Sequence, residues 1–270
     1  MKYNYFKVDI DNKIAQVAFN RPEKLNALHM EAWIEMQNIF DTLSTTNEVR
    51  VIVLKGEGKH FCAGIDLELL MSVAKLQEIS CSGRRSEKIR GLVKTLQKAI
   101  SAIENCSKPV LAAIHQGCIG GGVDIVSACD MRYCSEDAYF TIKEIDLGMV
   151  ADIGTLQRLP KIISPGMVAE MAYTGRQVFG NEAKSIGLVN QCYASREALM
   201  EGIMEKATTI ASKSPLSIRG TKEVLRYTRD HSVDDALNYM STWNAAMLIS
   251  EDLTEAFKAT MEKRTPRFKD

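Results

Sequence analysis

Two glycine-bearing stretches decide how this chain folds: His60-Phe-Cys-Ala-Gly-Ile-Asp-Leu67 and Gly117-Cys-Ile-Gly-Gly-Gly-Val-Asp124. Each follows a short, continuous apolar run, Val51 to Leu54 in the first case and Val110 to Ile114 in the second. Such runs predict strands that are buried on both faces, and the glycine turns after them predict strand-to-helix connections. The pattern indicates an α/β sheet whose strand ends carry the functional site.

The two glycine turns could serve as a pair of hydrogen-bond donors. Glycine tolerates unusual backbone angles and a helix leaves its first amides unpaired, so both turns could aim free N–H groups at one point. Two such amides would form an oxyanion hole, although a single turn of this kind is more often an ordinary connection. The motifs G-x-G-x-x-G, G-x-x-x-x-G-K-[ST] and G-x-S-x-G are all absent, which argues against nucleotide-binding and serine-hydrolase sites.

The rest of the chain divides into a mixed part and a helical part. The first twenty residues alternate as in a β-hairpin, and a helix is predicted from about His29 to Leu43. Residues 71–90 are polar and lack clear periodicity, so we interpret them as a mobile loop or a short helix. After about residue 195 nearly every segment fits an amphipathic helix. Residues 1–195 are therefore predicted to form a core that carries the active site, and residues 196–270 a helical module.

The composition excludes several classes of protein. The 270 residues contain 34 Lys and Arg against 34 Asp and Glu, so no global field gathers a polyanion and we predict no nucleic-acid partner. The longest uncharged run is shorter than the roughly 20 residues of a spanning helix, so we predict no membrane insertion. The ends show neither a secretory h-region nor a peroxisomal tripeptide, and we expect a cytoplasmic location. The seven cysteines are irregularly spaced, and we expect most of them to be buried free thiols.

Three carboxylates stand in apolar or glycine-rich surroundings: Asp124, Glu144 and Asp152. Helix capping or ion pairing would account for any one of them taken alone. Together with His115 they lack a recognisable ligand spacing, so we predict no metal site. The four histidines are interpreted as packing or capping groups rather than as bases.

Five stretches, in order along the chain, resemble the enoyl-CoA hydratase/isomerase (crotonase) superfamily. They are Asn20–Ala27, Phe61–Leu67, Lys108–His115, Gly120–Gly122 and Thr155–Pro160. Within the superfamily, residues 120–124, 143–148 and 151–158 are similar to the dienoyl-CoA isomerase branch. Hydratases of the family usually carry Glu at the position of Asp124 and Gly at that of Asp152, so both departures favour an isomerase.

The resemblance implies a fold and a binding site. The fold would be a spiral of ββα units with a C-terminal helical trimerisation module, assembled as a homotrimer or as a hexamer. The amides of Ile65 and Gly121 would bind the thioester oxygen. Coenzyme A, which is part of the substrate and not a separate cofactor, would contact Lys24, Leu25, Ala63, Gly64, Ile65, Asp66, Leu67 and Gly121.

The resemblance also implies a reaction, the conversion of 3,5-dienoyl-CoA to 2,4-dienoyl-CoA in fatty-acid β-oxidation. Glu144 would remove the C2 proton as general base, and Asp152 would deliver a proton at C6 as general acid. Asp124 would be a third member that tunes or positions the other two. We expect all three acids to lie buried.

Other functions remain open at this point. One is an enoyl-CoA hydratase acting on 2-enoyl-CoA, and another is a thioesterase or dehalogenase of the same fold. A non-enzymatic alternative is an RNA-binding crotonase homologue, against which the neutral charge balance counts.

Overall fold

A β-hairpin opens the part of the chain that the structure, a computed structural model, describes: residues 3–270. Strand β1 (Phe6–Asp11) pairs antiparallel with β2 (Ile14–Phe19), and Phe6 lies opposite Phe19. Asn12 and Lys13 join the strands with positive φ angles, which is the backbone of a two-residue hairpin turn. The predicted hairpin is confirmed.

The central sheet extends from this hairpin with parallel pairings. The further strands are β3 (Val51–Gly56), β4 (Val110–Ile114), β5 (Gly117–Ile119), β6 (Met131–Ser135), β7 (Tyr139–Thr141), β8 (Val178–Phe179) and β9 (Gln191–Tyr193). The six-stranded sheet has the order β1-β2-β3-β4-β6-β9, and every pair after the first is parallel. Strands β5, β7 and β8 form a separate small sheet.

Helices cover the central sheet and complete the chain. They are α1 (Met30–Thr45), α2 (Leu67–Ala74), α3 (Ser82–Asn105), α4 (Gly121–Ser127), α5 (Thr155–Arg158), α6 (Pro165–Thr174), α7 (Gly180–Ser185), α8 (Arg196–Ala211), α9 (Pro215–Thr228), α10 (Val233–Met247) and α11 (Glu251–Met261). Short 3-10 turns lie at Pro22–Lys24, Lys75–Glu78, Glu144–Leu147 and Leu159–Lys161. No helix in the described range is long and apolar enough to cross a membrane.

Burial on both faces explains why the parallel strands appear in the sequence as unbroken apolar runs. All four residues from Val51 to Leu54 are fully buried, because alternate side chains enter two different clusters. Ile52 and Leu54 pack into the larger cluster, while Val51 and Val53 pack into a smaller cluster with α8. This packing on both faces of a mostly parallel sheet confirms the predicted α/β fold class.

The segment 71–90 is more ordered than its polarity indicated. Helix α2 and the adjoining 3-10 turn occupy most of residues 67–78, and α3 already begins at Ser82. The buried residues of α3 start only at Leu96, and residues 82–88 at its start carry no apolar side chain. The interpretation of 71–90 as a mobile loop or one short helix was therefore wrong.

The four predicted C-terminal helices are present, with serine side chains capping the N-terminus of each. Ser195, Ser214, Ser232 and Ser250 accept hydrogen bonds from backbone N–H groups in the first turns of α8 to α11. Helix α8 packs on the sheet, because Leu199 and Ile203 share a cluster with Val51. The domain division at residue 195 stays a prediction.

Candidate active site

The two glycine turns lie side by side at the carboxyl ends of β3 and β4. Cys62 and Cys118 form a parallel bridge, in which the Cys62 N–H donates to Gly117 O at 3.1 Å. The Ile119 N–H donates in return to Cys62 O at 3.0 Å. These bonds fix the first turn against the second across more than fifty residues of sequence.

Gly64 is the point of closest approach between the turns. Its φ of 80° is left-handed, and a Cβ there would lie 2.5 Å from Ile119 O and 2.7 Å from Gly121 N. Only glycine fits this position. Within residues 3–270, the amides of Ile65 and Gly121 donate no hydrogen bond to another residue, and α4 begins at Gly121. Two free donors therefore lie beside Gly64, and their role as an oxyanion hole stays a prediction.

A cavity of about 470 Å³ opens over these amides. All of the predicted coenzyme A residues except Gly64 line the cavity: Lys24, Leu25, Ala63, Ile65, Asp66, Leu67 and Gly121. Residues that the sequence did not single out also line it: Ala27, Glu68, Leu70, Ile119, Gly120, Lys143, Leu147 and Met149. They come from separate segments, so only the folded chain brings them together.

Asp66 has a structural role in the protein. Its carboxylate pairs with Arg21 and accepts the Glu68 N–H at 2.9 Å, capping α2. Burial raises the pKa of Asp66, but the Glu68 N–H and Arg21 outweigh it and hold the pKa below its usual range. This ionised group keeps α2, and with it the cavity wall at Leu67, next to the Ile65 amide.

Glu144 lies at the floor of the cavity, at the start of a 3-10 turn. Its Oε1 is 3.1 Å from the point where a Cβ on Gly120 would be, so the carboxylate packs over that glycine. Oε2 is buried without a hydrogen-bond partner among the described residues. Burial is the largest cause that raises the pKa of Glu144, and Asp152 adds to it. Such a carboxylate is poised to accept a proton.

Asp124 is the fully buried member of the three acids. It lies in α4, and its Oδ1 accepts the Thr155 N–H at 2.6 Å while Oδ2 has no partner in the described chain. Burial first, and then the charge of Glu144, raise the pKa of Asp124 to about 7. Near neutral pH this carboxyl therefore spends much of its time protonated.

Asp152 does not lie buried as we expected. It is exposed, in the loop before α5, and it is absent from the residues that line the cavity. The reason is local: Ala151 and Ile153 on either side are buried, so the residue between them faces outward. Desolvation by nearby protein atoms still raises the pKa of Asp152. The charge of Asp152 in turn raises the pKa values of Glu144 and Asp124. The three acids thus form one electrostatic group.

The histidines take the packing and capping roles predicted for them. His29 accepts the Ala32 N–H and caps α1, and His60 accepts the Gly117 N–H at 3.1 Å. His115 bonds to Gly58 O, and His231 stacks on Tyr227. In residues 3–270 no group of three or more His, Cys, Asp or Glu side chains is placed to hold a metal ion.

The core is a mostly parallel α/β sheet, and two free backbone amides face a cavity, an arrangement that suits an enzyme that acts on acyl thioesters. Residues 9–270 match the family model described as enoyl-CoA hydratase/isomerase, and the chain belongs to that family. The chain is similar to the peroxisomal Δ(3,5)-Δ(2,4)-dienoyl-CoA isomerase of Arabidopsis thaliana. That protein is 50% identical over 259 residues, which cover 96% of this chain and 93% of the relative.

Two further comparisons bear on the branch and the fold. The mitochondrial Δ(3,5)-Δ(2,4)-dienoyl-CoA isomerase of Mus musculus is 43% identical over 266 residues, which cover 97% of this chain and 81% of the relative. The crystal structure of an enoyl-CoA hydratase from Bacillus anthracis superposes with a TM-score of 0.87 at 30% identity, covering 98% of this chain and 99% of that one. The predicted crotonase fold and isomerase branch are confirmed.

The expectation of a cytoplasmic location was wrong. The similar isomerases are a peroxisomal protein in A. thaliana and a mitochondrial protein in M. musculus. The expectation rested on the terminal segments of the sequence. Targeting signals are recognised by receptors, so they do not follow from the physical chemistry of the fold.

Proposed function

We propose that the protein isomerises 3,5-dienoyl-CoA to 2,4-dienoyl-CoA in fatty-acid β-oxidation. The observation that carries this proposal is the carboxylate of Glu144 in the cavity of the two free backbone amides, coupled electrostatically to Asp152 and Asp124, all three with raised pKa values. The reaction moves a proton from C2 to C6, and it needs one site that removes a proton and another that returns one. The likeness to dienoyl-CoA isomerases supports the same reaction.

The amides of Ile65 and Gly121 stabilise the developing enolate. A proton next to a thioester is too weakly acidic for a carboxylate to remove unaided, so negative charge on the thioester oxygen must be neutralised as it forms. Each preorganised donor in such a hole contributes roughly 3 to 4 kcal/mol. The close contact at Gly64 holds the two donors in place before the substrate arrives.

Glu144 removes the C2 proton and Asp152 delivers a proton at C6. Glu144 lines the cavity floor beside Gly120, next to the amide pair, which suits a base acting near the thioester. Conjugation spreads the charge along the diene to C6, and Asp152, in the loop close enough to perturb Glu144, supplies the second proton. Asp124 is the third member: burial, and then the charges of Glu144 and Asp152, raise its pKa, so it holds a proton near neutral pH and adds no further negative charge beside them.

The substrate's coenzyme A moiety contacts Lys24, Leu25 and the turn from Ala63 to Leu67, and no separate cofactor takes part. The overall change is a proton transfer without oxidation or reduction, so the chemistry is complete with side chains and amides alone. Lys24 at the cavity wall supplies a positive charge for the anionic coenzyme.

The active form is a homotrimer or a hexamer of this chain. The C-terminal part of the chain exposes large apolar side chains that would lie in water on a lone subunit: Leu225, Val233, Leu237, Ile249 and Phe257. Light scattering should give a mass of three or six times the 30.1 kDa of one chain. A monodisperse monomer would contradict this assembly.

The proposed reaction is tested with purified protein and 3,5-dienoyl-CoA, followed by the rise in diene-thioester absorbance. Glu144→Gln and Asp152→Asn should each lower kcat by at least about 100-fold, the usual contribution of a proton-transferring group. Asp146→Asn is a matched control, because Asp146 shares the 3-10 turn of Glu144 and forms only an exposed ion pair with Lys143. Wild-type rates in Asp152→Asn would refute the two-proton scheme.

The competing hydratase activity is measured in parallel with a 2-enoyl-CoA substrate. The structural likeness to a bacterial hydratase makes this the relevant alternative. If the wild-type protein hydrates the 2-enoyl substrate far faster than it isomerises the diene, the isomerase proposal fails.

A further inference from the structure

An ion-pair network lies behind the loop that carries Asp152. Gly154 has a φ of 144°, and a Cβ at this position would collide with the guanidinium of Arg158, so the guanidinium packs directly on the Gly154 backbone. Arg158 Nε and Nη2 donate to Glu104 Oε2 at 3.2 and 2.8 Å. Arg229 reaches the other oxygen of the same carboxylate at 2.7 Å.

The network is shielded from solvent. The Arg158 and Glu104 side chains are only 14% and 19% exposed, so water screens their attraction weakly. Burial raises the pKa of Glu104, but the hydrogen bonds and charges of Arg158 and Arg229 outweigh it and lower that pKa below its usual value. Glu104 is thus held ionised between two guanidinium groups.

Helix α5 connects this network to two of the three acids. The helix is a single turn: the Arg158 N–H bonds to Gly154 O at its far end, and the Thr155 N–H bonds to Asp124 at its near end. Asp152 lies two residues before Gly154, and its backbone oxygen accepts a hydrogen bond from Gln97 at 2.7 Å. A shift of Arg158 therefore moves both Asp152 and the donor on Asp124.

Two other contacts also hold this segment: the Gln97 side chain donates to Asp152 O, and the Thr155 N–H donates to Asp124. A cavity of about 430 Å³ lies against Gly154 and is lined mainly by polar and charged groups. Ala151 and Ile153 anchor the loop before α5 in the core. The Glu104–Arg158 pair holds the far end of α5, where Arg158 is the last residue of the helix.

We propose that Glu104 and Arg158 are a positioning pair, which acts through α5 to hold Asp152 at the reacting end of the substrate and the Thr155 N–H on Asp124. Neither side chain lines the cavity of the active site, so both act through other residues. The proposal rests on the isomerase function proposed above and extends it to residues some distance from the substrate.

Glu104→Gln tests the pair, because it keeps the shape of the side chain and removes its charge. We expect kcat for the diene to fall about 10- to 100-fold, the range for misplacing a reacting group by up to an ångström, with KM changed less than about twofold. Arg229→Gln is the matched control: it removes the other guanidinium from the same carboxylate and leaves the Arg158 contacts in place. We expect its kcat to stay within about threefold of wild type.

The pH dependence of kcat separates positioning from a general loss of stability. The hydrogen bond from Thr155 lowers the pKa of Asp124, while the titratable groups facing it are Glu144, Asp152 and Cys118. Loosening α5 removes that hydrogen bond, so the limb of the profile that reports Asp124 should move to higher pH in Glu104→Gln. The shift should be absent when the same change is made in Asp124→Asn.

Each outcome decides one point. A wild-type protein that does not isomerise the diene refutes the proposed function, whereas an active wild type with an unchanged Glu104→Gln variant refutes the pair. A variant with lower thermal stability but an unaltered kcat and pH profile also refutes it. If Glu104→Gln does not fold, Arg158→Lys, which keeps the charge and loses the forked contact, should show the same effects at smaller size.

Discussion

Replacing Gly64 by alanine tests whether the two amides are catalytic donors. A Cβ at residue 64 would lie 2.5 Å from Ile119 O and 2.7 Å from Gly121 N, where ordinary contacts begin at 3.4 Å. The turn must therefore open by about 1 Å, and both neighbours of the new methyl group are rigid backbone atoms. The positive φ of residue 64 adds backbone strain of about 1 kcal/mol.

A displacement of this size breaks the alignment of one donor with the thioester oxygen. Loss of one oxyanion donor lowers kcat by about 100- to 1000-fold, equivalent to roughly 3 to 4 kcal/mol of transition-state stabilisation. KM should rise as well, because the displaced turn from Ala63 to Leu67 also contacts coenzyme A, so the fall in kcat is the readout that reports the lost donor. The measurement is the initial rate of diene-thioester formation over a range of substrate concentrations, with circular dichroism to check folding.

Gly91→Ala is the control for this prediction. Gly91 lies inside α3, and a Cβ there would meet nothing within 4 Å. Alanine should raise the stability of that helix by about 0.5 to 1 kcal/mol and leave kcat unchanged. A folded Gly64→Ala protein with a kcat within about threefold of wild type would refute the assignment of the amides.

Two further predictions concern stability. The pKa of Asp124 is raised from 3.8 to about 7 in the folded protein, so the folded state loses stability relative to the unfolded state as the pH rises between these values. The free energy of unfolding of the wild type should therefore fall relative to that of Asp124→Asn, by at most about 4 kcal/mol. Above pH 7 the difference between the two proteins should stay constant. Urea unfolding of both proteins from pH 4 to 8 measures it, and parallel curves would contradict the raised pKa. Lys222→Met removes the bonds of a largely buried ammonium to Asp130 and Lys108 O, and should lower the unfolding free energy by roughly 2 kcal/mol. An unchanged urea midpoint in this variant would show that the pair contributes nothing to the docking of α9.

The sequence was informative where burial is continuous. Val51 to Leu54 and Val110 to Ile114 are buried on both faces, so their apolar character was visible without any knowledge of neighbours. Strands β5, β7 and β8 have only two or three residues each, too few to show an alternation. The start of α3 was missed because it contacts solvent: residues 82–88 include no apolar side chain, so no helical spacing of apolar residues was visible there.

The residues of the candidate site also differ in how far the sequence predicts them. The turn around Gly64 and the acid Asp124 could be identified because local glycines and apolar neighbours mark them. The pairing of Glu104 with Arg158 could not be identified, because the two residues are 54 positions apart and no local sequence pattern predicts their contact. The exposure of Asp152 was also beyond the sequence, because it follows from the burial of Ala151 and Ile153.

The unpaired amides of Ile65 and Gly121 set a limit on how stable this protein can become. These amides face the cavity, and a hydrogen bond to a protein oxygen contributes a net of about 0.5 to 1.5 kcal/mol, so the fold would gain about that much stability from a substitution that placed an oxygen opposite them. That same oxygen would occupy the position of the thioester oxygen. Stabilising variants selected by heat alone should therefore include inactive ones altered around Gly64, and a bound thioester should raise the melting temperature by satisfying the donors that the fold leaves open.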